Sequence, residues 1–250
     1  MSFLSNVWNW AKGNSIVSSL AKTAALGFML NQVTKQMYKN NDAGKEPDRG
    51  NRVTVKANTN NNIPVIYGEA YVGGVITDAQ MTNNNRTMWF CVTLSETTGN
   101  LLSSNFATES QFDVDEVYWN SMRVGFKADG NTVNNLTDED GNVNSNVNGL
   151  IKMYFFRKGS QTPWNFSSET TTSSQYAYNL MPNWTATDLM TNLAFVLVRV
   201  DYSSQNDVRS LGELKFKVRN SMTKPGDVMY DYMNNSRYGA GIPDSEIYIQ

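Results

Sequence analysis

The run Leu193-Ala194-Phe195-Val196-Leu197-Val198-Arg199-Val200 decides the fold class, because it is almost continuously apolar. A short apolar run that is rich in β-branched residues is typical of a strand buried on both faces. We therefore predict that this run is the central strand of a sheet, and that other parts of the chain cover both of its sides.

Other segments of the chain alternate apolar and polar residues, as half-buried strands do. Residues 214–219 alternate three apolar with three basic side chains, which predicts one buried and one basic face. Asparagine clusters at 58–62, 83–85 and 142–148 predict turns, because Asn tolerates a left-handed backbone. Further strands are predicted at residues 52–57, 65–67, 71–77, 88–94, 114–119 and 151–156.

The stretch from 99 to 148 is polar and carries three hairpin signals, Asp129-Gly130, Asp140-Gly141 and Asn148-Gly149. We expect its second half to form long hairpins or a loop that projects from the β core.

Two segments have the composition and spacing of helices. Residues 15–38 lack proline, and Ile16, Leu20, Ala24 and Phe28 share one face. The longest uncharged stretch there, 23–34, is shorter than the ~20 residues that span a bilayer. A second helix is predicted over 227–235, with an apolar stripe at 228, 229, 232 and 233. The expected organisation is a helical arm (1–40), a linker (41–51) and a mainly β (α+β) domain (52–250) with a polar insertion around 97–149.

Composition excludes several kinds of chemistry. The 250-residue chain has no histidine, a single cysteine (Cys91) and a formal net charge of −2. No imidazole base, His-ligated zinc site or intrachain disulfide can therefore form. We predict a protein that is not an enzyme, with no catalytic residues, cofactor or metal site.

Two acidic clusters have the residue types of a metal or catalytic site. The residues from Asp138 to Asn144 place oxygen ligands at every second position, but Gly141 is in the wrong place for a calcium loop, so a solvated turn is favoured. In a regular strand, Asp113 and Asp115 would point to one face and Glu116 to the other. That arrangement provides no acid and base across a cleft for glycoside hydrolysis.

Two motifs resemble a known family. Ile63-Pro64-Val65-Ile66-Tyr67-Gly68-Glu69-Ala70-Tyr71-Val72-Gly73-Gly74-Val75-Ile76 resembles a segment of the central tail-tip, or hub, proteins of lambda-like long-tailed bacteriophages. Pro225-Gly226-Asp227-Val228-Met229-Tyr230-Asp231-Tyr232-Met233-Asn234-Asn235-Ser236-Arg237-Tyr238-Gly239-Ala240-Gly241 is similar to a second element of that family. We assign a structural role to eight residues of these motifs: Tyr67, Gly68, Gly73, Gly74, Tyr230, Arg237, Tyr238 and Gly239.

The resemblance implies a tail-tube-like β-barrel or sandwich that forms a ring, which we expect to be a homotrimer, at the tail tip of the virion. The implied role is to close the tail tube and to open for genome passage. The implied partners are the distal tail protein, the tape-measure protein, and fibre or tip proteins, with transient contact to phage DNA. Within the second motif we expect Pro225 to start the helix and Gly239 to adopt a positive φ that ends it.

Two alternatives and one further expectation stay open at the sequence level. The chain could be a glycan- or peptidoglycan-cleaving tail enzyme, or a carbohydrate-binding module that uses Trp119, Trp164 and Trp184. The N-terminal helix could pack on its own domain or dock on another subunit. We expect its residues Leu20, Phe28 and Val33 to be buried mainly against other chains, because an isolated amphipathic helix is only marginally stable.

Overall fold

The computed structural model describes residues 62–98, 112–159 and 176–247, which form two antiparallel β-sheets and one α-helix. The larger sheet has the order β1 (Glu69–Val72), β10 (Leu214–Asn220), β4 (Phe112–Trp119), β5 (Met122–Phe126), β6 (Val133–Thr137) and β7 (Val143–Asn144). The smaller sheet has the order β2 (Val75–Thr82), β3 (Thr87–Glu96), β9 (Leu193–Asp201) and β8 (Ile151–Phe156). Helix α1 spans Pro225–Asn234, and the mainly β prediction is confirmed.

The apolar run identified from the sequence is strand β9, which lies between β3 and β8. On one face, Phe195 and Leu197 pack in a cluster with Ala177 and Met181. On the opposite face, Val196 and Val198 are equally buried. The prediction of a central strand that is covered on both sides is therefore confirmed.

The larger sheet presents one apolar face to the core. In β10 the residues Leu214, Phe216 and Val218 are buried, while the intervening basic residues are exposed or half-buried, as predicted. The two sheets meet at one corner, where Thr132 forms a bridge to Lys152. Nearby, the rings of Phe126 and Phe155 pack edge to face, 5.9 Å apart.

The predicted strand 71–77 is in fact two strands that belong to different sheets. The chain leaves β1 and enters β2 through Gly73-Gly74, and Gly74 has a φ of +74°. A Cβ atom at Gly74 would lie 2.4 Å from a methyl group of Val92, so a side chain would not fit there.

The predicted strand 65–67 is reduced to one bridge, between Val65 and Glu96. Residues 52–57 lie outside the described residues.

The second half of the polar stretch forms hairpins over residues 122–144, but these extend the larger sheet and do not project from the β core. Strands β4 to β7 are consecutive members of the larger sheet, and Val124, Val133 and Leu136 are buried. The turn assignments hold, because Gly130, Gly141 and Gly149 have positive φ angles. The same conformation occurs at all three asparagines of the 83–85 cluster, which connects β2 to β3. Residues 99–111 lie outside the described residues.

Helix α1 begins at Pro225, as expected from the missing N–H of proline, and its N-cap residue Lys224 makes no side-chain capping bond. Tyr230 is buried, but two residues of the predicted apolar stripe are not: Met229 is 66% and Tyr232 is 53% exposed. The helix instead turns Asp231 inward.

The N-terminal arm, the linker and Leu20, Phe28 and Val33 lie outside the described residues. No helix in the described part of the chain is long and apolar enough to cross a membrane.

Candidate functional site

The two family-like motifs meet in one hydrogen-bonded cluster, which we call the tyrosine–aspartate cluster (Tyr67, Asp231 and Tyr238). Asp231 is 2% exposed, and its Oδ2 accepts hydrogen bonds from the hydroxyls of Tyr67 (2.7 Å) and Tyr238 (2.6 Å). A buried carboxylate is costly unless it is hydrogen-bonded, and these two donors satisfy one of its oxygens. This explains why α1 turns a polar residue inward.

The same cluster holds both tyrosines in their neutral, hydrogen-donating form. Burial, and then the hydrogen bond to the Asp231 carboxylate, raises the pKa of Tyr67 far above its ordinary value. The same two causes, in the same order, raise the pKa of Tyr238. Both hydroxyls therefore stay protonated and continue to donate to Asp231 over the whole neutral range.

An ion pair next to the cluster joins the second motif to strand β3 and to the chain before β9. The Nε atom of Arg237 lies 2.9 Å from Oε2 of Glu96, and its Nη1 donates to the carbonyl oxygen of Thr191 at 3.1 Å. Burial raises the pKa of Glu96 more than the neighbouring Arg237 guanidinium lowers it. Glu96 is therefore a carboxyl group whose charged form is disfavoured by its surroundings.

The predicted positive φ at Gly239 is wrong. Among the residues that follow α1, Gly241 has the left-handed conformation, with a φ of +65°. Asn235 is the C-cap residue, and its Oδ1 accepts from the backbone N–H groups of Arg237 and Tyr238 in the turn that follows the helix. Gly239 is needed for a different reason: a Cβ atom there would lie 1.9 Å from the carbonyl oxygen of Tyr232.

The outer face of the larger sheet carries a basic strand, β10, next to an acidic strand, β4. Arg219 lies 3.3 Å from a carboxylate oxygen of Asp115 and 3.6 Å from one of Asp113. Lys217 pairs loosely with Glu69 on β1, at 3.9 Å. The basic face predicted for β10 therefore meets acidic residues of its own chain. Charge pairs as exposed as these contribute little to stability individually.

Aromatic rings complete this outer face. The Nζ atom of Lys215 lies 5.3 Å from the ring centre of Tyr71 and 4.9 Å from that of Tyr118. The two rings contact each other edge to face, 6.3 Å apart. A cation between two aromatic faces is held by their negative quadrupoles. Because Tyr71 is 51% exposed, this aromatic pair is accessible at the surface.

A β-bulge in β4 changes which side chains point outward. Lys217 pairs with Glu116, but the next residue of β10, Val218, pairs with Val114, so Asp115 is an extra residue. The buried residues of β4 are consequently Phe112, Val114, Val117 and Trp119. Glu116 therefore shares the outer face with Asp113 and Asp115, and the expectation that it points to the opposite face is wrong.

The hairpin of β4 and β5 opens next to this bulge. The two strands pair only at Tyr118–Arg123 and Trp119–Met122, around a turn in which Asn120 and Ser121 both have positive φ. A bulge bends its strand and increases the local twist, which is consistent with the separation of β4 from β5 at this point. The resulting gap, here called the bulge cleft, has a volume of about 310 Å³. Its walls are formed by Asp115, Glu116, Val117, Arg123, Val124, Gly125 and Thr137.

Both carboxylates of the bulge cleft already have partners in the chain. Asp115 is bound by Arg219, and Glu116 accepts a hydrogen bond from the Tyr118 hydroxyl, which raises the pKa of Tyr118 to about 12. Arg123 lies on the opposite wall and is exposed. The cleft therefore combines acceptor oxygens and one guanidinium with two apolar side chains, Val117 and Val124.

Two other features of the sequence, the acidic turn that begins at Asp138 and the single cysteine, can be located in the structure. Asp138 accepts hydrogen bonds from the backbone N–H groups of Asp140 and Asn142, as in a solvated turn. Within the described ranges, no three acidic or cysteine side chains are grouped so that they could hold a metal ion. Cys91 is fully buried, and this burial raises the pKa of its thiol to about 12, so it is not a reactive thiolate.

The tryptophans considered as a sugar-binding platform are not presented together. Trp119 is 5% exposed and belongs to the core. The indole N–H of Trp184 donates to Asp78 at 2.7 Å and holds its loop against β2. Trp164 lies outside the described residues. The described tryptophans therefore offer no exposed platform for a sugar ring.

A scan of the chain against models of known protein families finds no match, and neither does a search of curated proteins.

Proposed function

We propose that this chain is a structural subunit of the tail tip of a long-tailed bacteriophage. In this proposal it is a hub protein of the virion that forms a closed ring, closes the end of the tail tube and opens for genome passage. We infer a homotrimer as the ring. Its neighbours would be the distal tail protein, the tape-measure protein, and fibre or tip proteins, and phage DNA would pass through the ring.

The observation that carries this proposal is the contact between the two family-like motifs. Tyr67 and Asp231 are 164 positions apart in the sequence, yet they form a direct hydrogen bond. Tyr238, which also belongs to the second motif, donates to the same oxygen atom. Unrelated turns that matched the family by coincidence would have no reason to meet, whereas parts of one shared structural unit would.

The exposed surfaces also suit a protein that works through its interfaces. The outer face of the larger sheet presents charged residues of both signs with Tyr71 and Tyr118 among them, and α1 presents Met229 and Tyr232. Aromatic residues and methionine are enriched in protein interfaces. The prediction that Leu20, Phe28 and Val33 are buried against other chains belongs to the same proposal and stays a prediction.

A glycan-cleaving tail enzyme is the second candidate, because the bulge brings Asp115 and Glu116 to the wall of one cleft. Glycoside hydrolysis requires two carboxyl groups on opposite sides of the scissile bond. These two residues are adjacent in the sequence and lie on the same strand. The geometry therefore favours the structural role over the enzymatic one.

Two measurements on the full-length chain separate the candidates. Native mass spectrometry should detect a closed oligomer of the 28.1 kDa chain, and a chain that is monomeric at all concentrations would contradict the hub. Incubation with purified peptidoglycan should release no fragments. Release that is abolished by Asp115→Asn or Glu116→Gln, but not by Asp140→Asn in an exposed turn, would establish the enzyme instead.

A further inference from the structure

Within the described residues, the bulge cleft is bordered by two strand edges that are each paired on one side only. On one side β4 pairs with β10 over its whole length, but it meets β5 at only two residue pairs. On the other side β5 pairs with β6 from Arg123 to Phe126. Within the described residues, the edges of β4 at 115–117 and of β5 at 124–125 are therefore paired on one side only. Unpaired strand edges are templates for an additional strand.

We infer that the bulge cleft binds a short extended segment of a partner protein, in which apolar residues alternate with Lys or Arg. The segment would add to the edge of β4 through main-chain hydrogen bonds. Recognition of this kind combines backbone bonds, which give affinity, with alternate side chains, which give specificity. The inference does not depend on the hub proposal, because it uses only the geometry and charges of the cleft.

The side chains around the cleft determine the required pattern. Val117 and Val124 point to the core side of the sheet and are 1% and 6% exposed, so the inward residues of an added strand must be apolar. Asp115 and Glu116 point to the outer face, so the outward residues beside β4 should be basic. A carboxylate has about four acceptor sites, and the bonds to Arg219 and Tyr118 leave some of them open.

The size of the cleft limits the bound segment. A volume of about 310 Å³ lies at the lower end of the range of roughly 300–1,000 Å³ that is typical of ligand sites. Only a few residues of the segment fit between the strands. The exposed guanidinium of Arg123 on the opposite wall disfavours a basic residue beside β5, which gives the bound segment a preferred register.

A peptide-binding measurement on the full-length protein tests this inference. The probe is a fluorescein-labelled peptide with the sequence of residues 52–57, Arg-Val-Thr-Val-Lys-Ala, which has the required alternation. We expect saturable binding by fluorescence anisotropy. A peptide of the same sequence that is N-methylated at alternate residues should bind at least tenfold more weakly, because methylation removes the main-chain donors. Equal binding of the two peptides, or no saturable binding, would overturn the inference.

Protein variants locate the binding site. Deletion of Asp115 should remove the bulge, close the cleft and weaken binding at least tenfold. Glu116→Lys should also weaken binding at least tenfold without changing the backbone. This variant tests the cleft if the deletion variant does not fold. Asp140→Lys, in the exposed turn between β6 and β7, is the matched control and should bind like the wild type. Unchanged binding by folded Glu116→Lys would exclude the cleft as the site, whereas a monomeric wild-type chain would count only against the hub.

Discussion

At the scale of single residues, the backbone around Gly239 leaves no room for a side chain. The Cβ of an alanine would lie 1.9 Å from the Tyr232 carbonyl oxygen, so we expect Gly239→Ala to lower the free energy of unfolding by at least about 1 kcal/mol in urea titrations. Gly226→Ala is the control, because a Cβ there meets no atom within 4 Å. Alanine is also the better helix former, so Gly226→Ala should be neutral or stabilising. Equal losses in the two variants would contradict this account.

The hydroxyl donors of the tyrosine–aspartate cluster should contribute measurably to the stability of the fold. Tyr67→Phe removes one hydroxyl donor from the buried Asp231 carboxylate and should lower the free energy of unfolding by about 1–2 kcal/mol. Tyr202→Phe, at a residue that is 47% exposed, should change it by less than about 0.5 kcal/mol. The loss in a Tyr67→Phe/Tyr238→Phe double variant should exceed the sum of the single losses, because both tyrosine donors are then gone. Strict additivity would show that the two hydroxyls act independently.

The raised pKa of Glu96 leads us to expect a specific dependence of the protein's stability on pH. Burial raises the pKa of Glu96 above its ordinary value of 4.5, so the folded state binds this proton more tightly than the unfolded chain does. The resulting stabilisation is complete below the ordinary pKa and is lost as the pH rises through the raised value. The glutamine side chain of the Glu96→Gln variant does not titrate, so the stability of this variant lacks this dependence on pH. Its free energy of unfolding, relative to the wild type, should therefore increase between about pH 4 and about pH 7.

Urea titrations across this range measure that difference. Glu139→Gln, which changes an exposed carboxyl group in the turn between β6 and β7, is the control, and its difference from the wild type should stay nearly constant. A relative stability of Glu96→Gln that falls with rising pH would mean that the ion pair with Arg237 outweighs the burial of Glu96.

At the scale of single elements, the bulge in β4 is the feature that shapes the outer face. Deletion of Asp115 leaves Phe112, Val114, Val117 and Trp119 in strict alternation, so the strand should pair regularly and stay folded. We expect the free energy of unfolding to change by no more than about 1 kcal/mol. Deletion of Tyr118 is the control: it turns Trp119 to the solvent side and should cost about 3 kcal/mol or more. Chemical denaturation monitored by tryptophan fluorescence distinguishes the two variants, and comparable losses would contradict the bulge assignment.

The sequence predicts those elements whose burial is regular. Strands β3, β8 and β9 and the buried face of β10 follow directly from apolar runs or from alternation. Simple alternation does not predict the bulge, because Asp115 is an extra residue that interrupts it. Its signal was present in the sequence, since Val114 and Val117 are three residues apart rather than two or four. Spacing of this kind marks an extra residue in a strand.

The inward turn of helix α1 could not be predicted from local sequence. Periodicity assigned Met229 and Tyr232 to the buried side, although both are more than half exposed. The orientation depends on the bond between Asp231 and Tyr67, which lies 164 residues away. Distant polar partners leave no periodic pattern near the helix, whereas apolar burial does. For the same reason the sequence did not identify Glu96 as the partner of Arg237.

At the scale of the whole molecule, the described residues form two antiparallel sheets that are arranged as a β-sandwich. The tyrosine–aspartate cluster and the Glu96–Arg237 pair connect the region that follows β10 to the first motif and to β3. These bonds give the Tyr, Asp and Arg residues of the two motifs a structural role in this chain. In a ring assembly, they would keep the α1 region in one orientation in every subunit, which a closed symmetric interface requires.

Electron cryo-microscopy of the assembled full-length chain tests the central claim most directly. The account predicts a closed ring of three copies around a channel wide enough for duplex DNA, in which Leu20, Phe28 and Val33 contact neighbouring chains. A monomeric particle, or an open assembly without a central channel, would contradict the proposal that this protein is a tail-tip hub.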